Sequence, residues 1–170
     1  IRVNDPGNPG KYYICGKGIS KFDPISPPAA KVLKKIRSND AARMQQMTEK
    51  LAEFFKKHGI DTGLDDKKII ENFAKSYGCQ AEMITLQERH LAQAFQQALF
   101  EMVPPDLRID KLTEIFETPA KSNSDDSAAI QNQIRSSLIK AGKPCFVPET
   151  FVNLCQSKEL ILELGGIPCY

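Results

Sequence analysis

The 170-residue chain is 41% hydrophobic and 26% charged, a balance that suits a globular protein able to bury a core of its own. Its net charge of +2 is too small to argue for a nucleic-acid partner. No run of about 18 apolar residues offers a membrane-spanning helix.

Ile1-Arg2-Val3 reads as a strand, and Asn4-Asp5-Pro6-Gly7-Asn8-Pro9-Gly10 is a dense turn signal. Tyr12-Tyr13-Ile14-Cys15 then returns as the second strand of a hairpin. Asp23-Pro24-Ile25-Ser26-Pro27-Pro28 is a stiff connector. Pro28 can open a helix that runs to about Ile36, and Ser38-Asn39-Asp40 can break it or cap a second one. From Ala41 to Lys57, the residues Met44, Met47, Leu51, Phe54 and Phe55 share a face. Gly59 stops this helix, Ile60 can fold back on Phe54 or Phe55, and His58 reads as a C-terminal capping histidine.

Leu64-Asp65-Asp66 starts the next helix, with Ile69, Ile70, Phe73 and a candidate fourth member, Tyr77, as its apolar stripe and Gly78 as its end. The spacing of Thr85 and Glu88 predicts a capping box. Leu91, Phe95, Ala98, Leu99 and Met102 then form one buried stripe, flanked by Ala94. Pro104-Pro105 breaks the chain, and a short helix carries Ile109, Leu112, Ile115 and Phe116. A polar loop over 121–126 ends in Ser124 or Asp125 as cap for a helix with Ile130, Ile134 and Leu138, closed by Gly142. Lys143–Pro148 reads as extended, a last helix carries Leu160, Ile161 and Leu164, and Ile167–Tyr170 reads as a buried strand. The expected fold is therefore mainly α, a multi-helix domain with a small β element from the N-terminal hairpin and the C-terminal strand. Its core is expected around Leu51, Phe54, Phe73, Leu91, Phe95, Leu112, Ile134 and Leu138.

Chemistry-bearing residues are few. Cys15, Cys79, Cys145, Cys155 and Cys169 are odd in number and form no C-x-x-C pair. That argues against a zinc knuckle or a disulfide framework and for reduced thiols in a cytoplasmic protein. Two histidines far apart, His58 and His90, supply no multi-histidine metal site. The stretch 31–58 carries eight lysines and arginines against three acids, an excess of five. That is either a solvated helix face or a field that attracts a phosphorylated substrate. His90 and Arg89 lie at the start of a helix, where free N–H groups favour an anion. Packed histidine and solvated arginine are the simpler reading of the same two residues.

Several segments carry a resemblance. They are Ile14-Cys15-Gly16-Lys17-Gly18-Ile19, Lys57-His58-Gly59-Ile60, His90-Leu91-Ala92-Gln93-Ala94-Phe95, Gly142-Lys143-Pro144-Cys145-Phe146-Val147-Pro148 and Leu164-Gly165-Gly166-Ile167-Pro168. In this order the set resembles the inner part of a polymerase-and-histidinol-phosphatase (PHP) domain protein with a helical insertion. The resemblance implies that the chain is an excised piece of an α/β parent. Residues 1–27 would be the edge of the parent core, 28–141 the helical cap, and 142–170 the return helix and strand. It implies a parent that is a metal-dependent phosphoesterase using Mn, Zn or Fe, with most of the ligands outside this chain and no cofactor within it. The implied partners are the rest of the parent core and a phosphorylated small molecule or nucleotide, with no membrane. Lys17, Arg89, His90 and Lys143 become the expected phosphate contacts, and this chain alone is not expected to be catalytic. Two positions depart from the family pattern: Tyr13 stands where it has a histidine ligand, and Glu88 where it has an arginine. The alternative is a helical interaction module in a parent that has lost its metal site.

Overall fold

The computed structural model describes residues 2–5, 8–119 and 123–170, with side chains from 13 onward in those ranges. The described chain is mainly helical. Its elements are β1 (Arg2–Asp5), β2 (Asn8–Tyr13), β3 (Cys15–Lys17), α1 (Pro27–Lys57), α2 (Asp66–Tyr77), α3 (Glu88–Met102), α4 (Arg108–Phe116), α5 (Ser127–Ile134), α6 (Leu154–Glu163) and β4 (Ile167–Cys169). β1 pairs antiparallel with β2 and β3 pairs antiparallel with β4. None of the described helices is long and apolar enough to cross a membrane.

The chain forms two compact units. One is Ala41–Pro148; the other joins Ile1–Asp40 to Glu149–Tyr170. The helical body is thus inserted between two segments that meet in a unit of their own.

In the helical body, Met44, Met47, Leu51 and Phe55 recur every three or four residues along α1 and are all buried. Phe54 is half-buried at the edge of the same cluster. The end of α1 follows from Gly59, whose φ of 77° places it in the left-handed region. Gly59 N–H donates to the Lys56 carbonyl at 3.0 Å and Ile60 N–H to the Phe55 carbonyl at 2.9 Å. This glycine stop turns Ile60 back into the core beside Phe55. His58 Nδ1 lies 2.8 Å from the Phe54 carbonyl, as expected of a capping histidine.

α2 starts where its acids suggest. The Asp65 carboxylate accepts from Lys68 N–H at 2.7 Å, and Gly78 ends the helix. α3 is buried on most of its circumference, through Leu91, Ala92, Ala94, Phe95, Gln96, Ala98 and Leu99. α2 and α5 pack against it, and Gln131 Nε2 donates to the buried Gln96 amide oxygen at 2.9 Å. Leu112, Ile115, Ile130, Ile134 and Leu138 complete the core. Each such side chain contributes about 1.5–3 kcal/mol on burial.

The structure corrects several local expectations. α1 does not break at Ser38-Asn39-Asp40 but continues through it as one helix of 31 residues. The Asn39 amide donates to the Thr150 carbonyl at 3.4 Å, so its polar group finds a partner without competing for the helix backbone. Met102 and Tyr77, expected on the apolar stripes of α3 and α2, are 48% and 59% exposed, although Leu99 and Val103 beside Met102 stay buried. Asp126, rather than Ser124 or Asp125, caps α5, accepting from Ala129 N–H at 2.9 Å. α5 runs into a π-helical turn over Arg135–Ile139, closed by Lys140 N–H to the Arg135 carbonyl at 3.1 Å. Of the segment 143–148 expected to be extended, residues 143–145 are turn and bend instead. The hairpin strands are longer than expected, with Asp5 already paired with Asn8. Residues 121 and 122 of the polar loop lie outside the described residues.

In the terminal unit, α6 is capped by Asn153, which accepts from Gln156 N–H at 2.8 Å. Ser20 and Lys21 N–H both donate to the Leu164 carbonyl, at 3.0 and 2.9 Å. Gly166 permits this approach: a Cβ there would lie 2.6 Å from Ile19 Cδ1. Ile14 and Ile161 are buried together beneath Ile19. β4 is not the buried strand expected from its sequence, since Ile167 is 67% exposed.

Candidate functional site

The start of α3 differs from its sequence signature. Thr85 does not cap it. Gln87 holds the N-cap position, and its backbone N–H donates to His90 Nδ1 at 3.1 Å. The His90 ring also packs on Phe73, with ring centroids 5.3 Å apart. Burial, and next the charge of Arg89, lowers the His90 pKa below the ordinary imidazole value of 6.5, against a hydrogen bond with the Thr85 backbone. His90 is therefore a neutral, half-buried capping group near neutral pH, not a cation.

Glu88, freed from capping, points to other elements. Its carboxylate accepts from Arg43 of α1 at 2.7 Å and from Lys140, after the π turn, at 2.9 Å. Burial alone would raise the Glu88 carboxyl; the hydrogen bonds and charges of Arg43 and Lys140 outweigh it and hold it below its ordinary 4.5. Arg43 also donates from Nε to the Val147 carbonyl at 2.9 Å. Lys50 Nζ donates to the Phe146 carbonyl at 3.0 Å. Cys145, buried and pushed up to about 12 by desolvation, lies with its Sγ 3.6 Å from the Lys50 carbonyl. Two cations of the basic stretch thus clasp the carbonyls of Phe146 and Val147 onto α1.

Of the expected contacts, Arg89 and His90 are consecutive on the first turn of α3. Lys143 belongs to the turn that begins at Lys140, to whose carbonyl its N–H donates at 3.0 Å. Arg89 and Lys143 are exposed, and neither takes part in an ion pair among the described residues. Lys17 and Tyr13 belong to the terminal unit and are both exposed. Arg43, Glu88 and Lys140 form the local charge cluster that sequence reasoning missed; residues this far apart in the chain leave no spacing signal. Among the described residues no group of three or more His, Cys, Asp or Glu side chains could hold a metal.

A separate cleft of about 420 Å³ lies in the helical body, lined by Gly59, Ile60, Met102, Val103, Pro104, Leu107, Asp110, Lys111 and Glu114. Lys111 pairs with Glu114 at 2.8 Å on its rim. The cleft contains none of the expected site residues. No family model, curated protein or solved structure matches this chain.

The cap makes a pH prediction. Between the ordinary imidazole value of 6.5 and the lower folded value of His90, the unfolded chain binds a proton that the folded chain refuses. Stability is therefore complete above 6.5 and falls as the pH drops through this window. Glu88 adds a second loss further down, as the pH falls through its depressed folded pKa. Denaturant unfolding at about pH 7.5 and about pH 5.5 should show the first loss, and His90→Gln should flatten it. Equal slopes in both proteins would mean that His90 is not the group responsible.

Proposed function

We propose that this chain is the substrate-side helical cap region of a PHP-type metal-dependent phosphoester hydrolase and is not catalytic on its own. The observation that carries the reading is the topology. A self-contained helical body, Ala41–Pro148, is inserted between two segments that pair as β3 and β4. Insertions of this kind can shape and cover a site built by the protein that hosts them. In this reading the exposed Arg89 and Lys143 attract the phosphoryl group, and the first turn of α3 adds its N–H groups. His90 contributes as a neutral group that orders that turn. Divalent metals held by residues outside this chain would activate water and balance phosphoryl charge.

The second reading is a non-catalytic helical interaction module. Glu88 favours it, because its carboxylate occupies Arg43 and Lys140, two cations an anion would otherwise meet.

Calorimetric titration with a nucleoside monophosphate separates the two. The cap reading expects binding that Arg89→Ala weakens by about 1–3 kcal/mol, the range for losing a charged hydrogen bond. Lys143→Ala should weaken it in the same direction. Unchanged affinity in both variants, or no binding by the unsubstituted chain, would leave the interaction module as the better account.

A further inference from the structure

The pairing of β3 with β4 sets Cys15 directly opposite Cys169. Directly opposed residues of an antiparallel ladder project to the same face, with Cα atoms about 4.5–5.5 Å apart. Both kinds of opposed pair fall inside the span a disulfide bridges, about 4.4–6.8 Å. Both thiols are free; Cys15 is exposed and Cys169 half-buried. Cys169 Sγ makes only a weak contact, 3.5 Å from the Ile167 carbonyl of its own strand.

The surroundings hold this register. The Leu164 carbonyl takes Ser20 and Lys21 N–H just before β4 begins. Ser26 Oγ donates to the Glu163 carboxylate at 2.8 Å. The close approach at Gly166 fixes the turn between α6 and β4. Ordering the two strands, a large part of the entropy of closing a bridge, is therefore already done by the fold. No other cysteine is so placed: Cys145 is buried, Cys155 is exposed on α6, and Cys79 follows α2 in the helical body.

We propose that Cys15 and Cys169 form a reversible cross-strand disulfide by exchange with a small disulfide of the glutathione type. The Cys15 thiolate attacks one sulfur of oxidised glutathione. That S–S bond breaks, and one glutathione leaves as its thiolate. Cys169 loses its proton to water and attacks the Cys15 sulfur of the mixed disulfide, expelling the second glutathione thiolate. The cysteine pair is oxidised by two electrons, and one glutathione disulfide is reduced to two thiols. The bond joins the segment before the helical body to the segment after it. It would close the terminal unit covalently and cut the conformational freedom of the unfolded chain. The site goes beyond the phosphate reading and does not depend on it.

The test is to equilibrate the 170-residue chain in glutathione buffers from reducing to oxidising, trap free thiols by alkylation, and map the peptides. The expected result is a Cys15–Cys169 cross-linked peptide in a monomeric chain, unchanged in Cys155→Ser. In Cys15→Ser the cross-link should vanish, and Cys169 should be recovered as a mixed disulfide with glutathione. Four outcomes would overturn the proposal: both thiols alkylated across the whole range, one glutathione retained on each, a bridge to Cys155, or a bridge between chains.

Discussion

Arg108→Ala is expected to lower the unfolding free energy by about 3 kcal/mol, the largest loss for any charged side chain of the helical body. Arg108 opens α4 and is 8% exposed. Its Nε donates to the Val103 carbonyl at 3.1 Å, and one terminal nitrogen donates to the Phe100 carbonyl at 3.1 Å. These carbonyls lie at the C-terminal end of α3, where the helix itself leaves acceptors unsatisfied. The other terminal nitrogen reaches Asp125 Oδ1 at 2.7 Å, ahead of α5, and the guanidinium lies 4.0 Å over the Phe100 ring. One side chain therefore ties together the end of α3, the start of α4 and the approach to α5. Truncation orphans two carbonyls and leaves a void where the guanidinium stacked.

The ion pair is the smaller part of this loss. Asp125 is 76% exposed on its side chain, so Asp125→Asn should cost less than about 1 kcal/mol. Arg108→Lys should recover little, because an ammonium cannot present a planar fork to several acceptors at once. Urea midpoints for the three variants give the ranking. An Asp125→Asn loss equal to that of Arg108→Ala would make the ion pair, not the carbonyl caps, the source of stability.

Phe95→Ala is expected to cost about 3–5 kcal/mol. The Phe95 side chain is fully buried, and its ring centroid lies 5.1 Å from that of Phe55 at a tilt of 53°. The pair couples α3 to α1 in the middle of the core. Truncation removes the transfer free energy of the ring and leaves a cavity that the surrounding helices can only partly fill. A double-mutant cycle with Phe55→Ala should return a coupling of about 0.5–1.5 kcal/mol. Phe54→Ala should cost clearly less than either, since Phe54 is only half-buried at the rim. Equal losses at Phe54 and Phe55 would mean that the buried face of α1 is assigned wrongly by a full residue.

Much of the helical body was legible because its signals are local. Asp65 and Gly78 bound α2 by chemistry that acts within a few residues. The Gly59 stop and the return of Ile60 need only one turn of chain. Leu51, Phe73, Leu91, Phe95, Leu112, Ile134 and Leu138, expected in the core from spacing, are all buried. Where the expectation failed, a distant partner changed the local balance. Ser38-Asn39-Asp40 looked like a break, yet the Asn39 amide goes to Thr150 and the helix continues. Thr85 and Glu88 looked like a capping box, yet Glu88 goes to Arg43 and Lys140, and His90 takes its place at the cap.

The candidate site was legible only as residue types. Arg89, His90 and Lys143 stand out in the sequence by their chemistry alone, and the protonation of His90 could not be read there. A neutral His90 follows first from its burial in the folded chain and then from the charge of the neighbouring Arg89. The sequence by itself determined the helices, their stops and the identity of most core residues, because periodicity and capping are properties of a few adjacent side chains. Only the tertiary structure decided that Arg43 and Lys50 serve as clasps, that Arg108 caps a helix other than its own, and that Cys15 faces Cys169. Those pairings join residues far apart in the chain, and no short-range pattern encodes which distant group a charged or reactive side chain will meet.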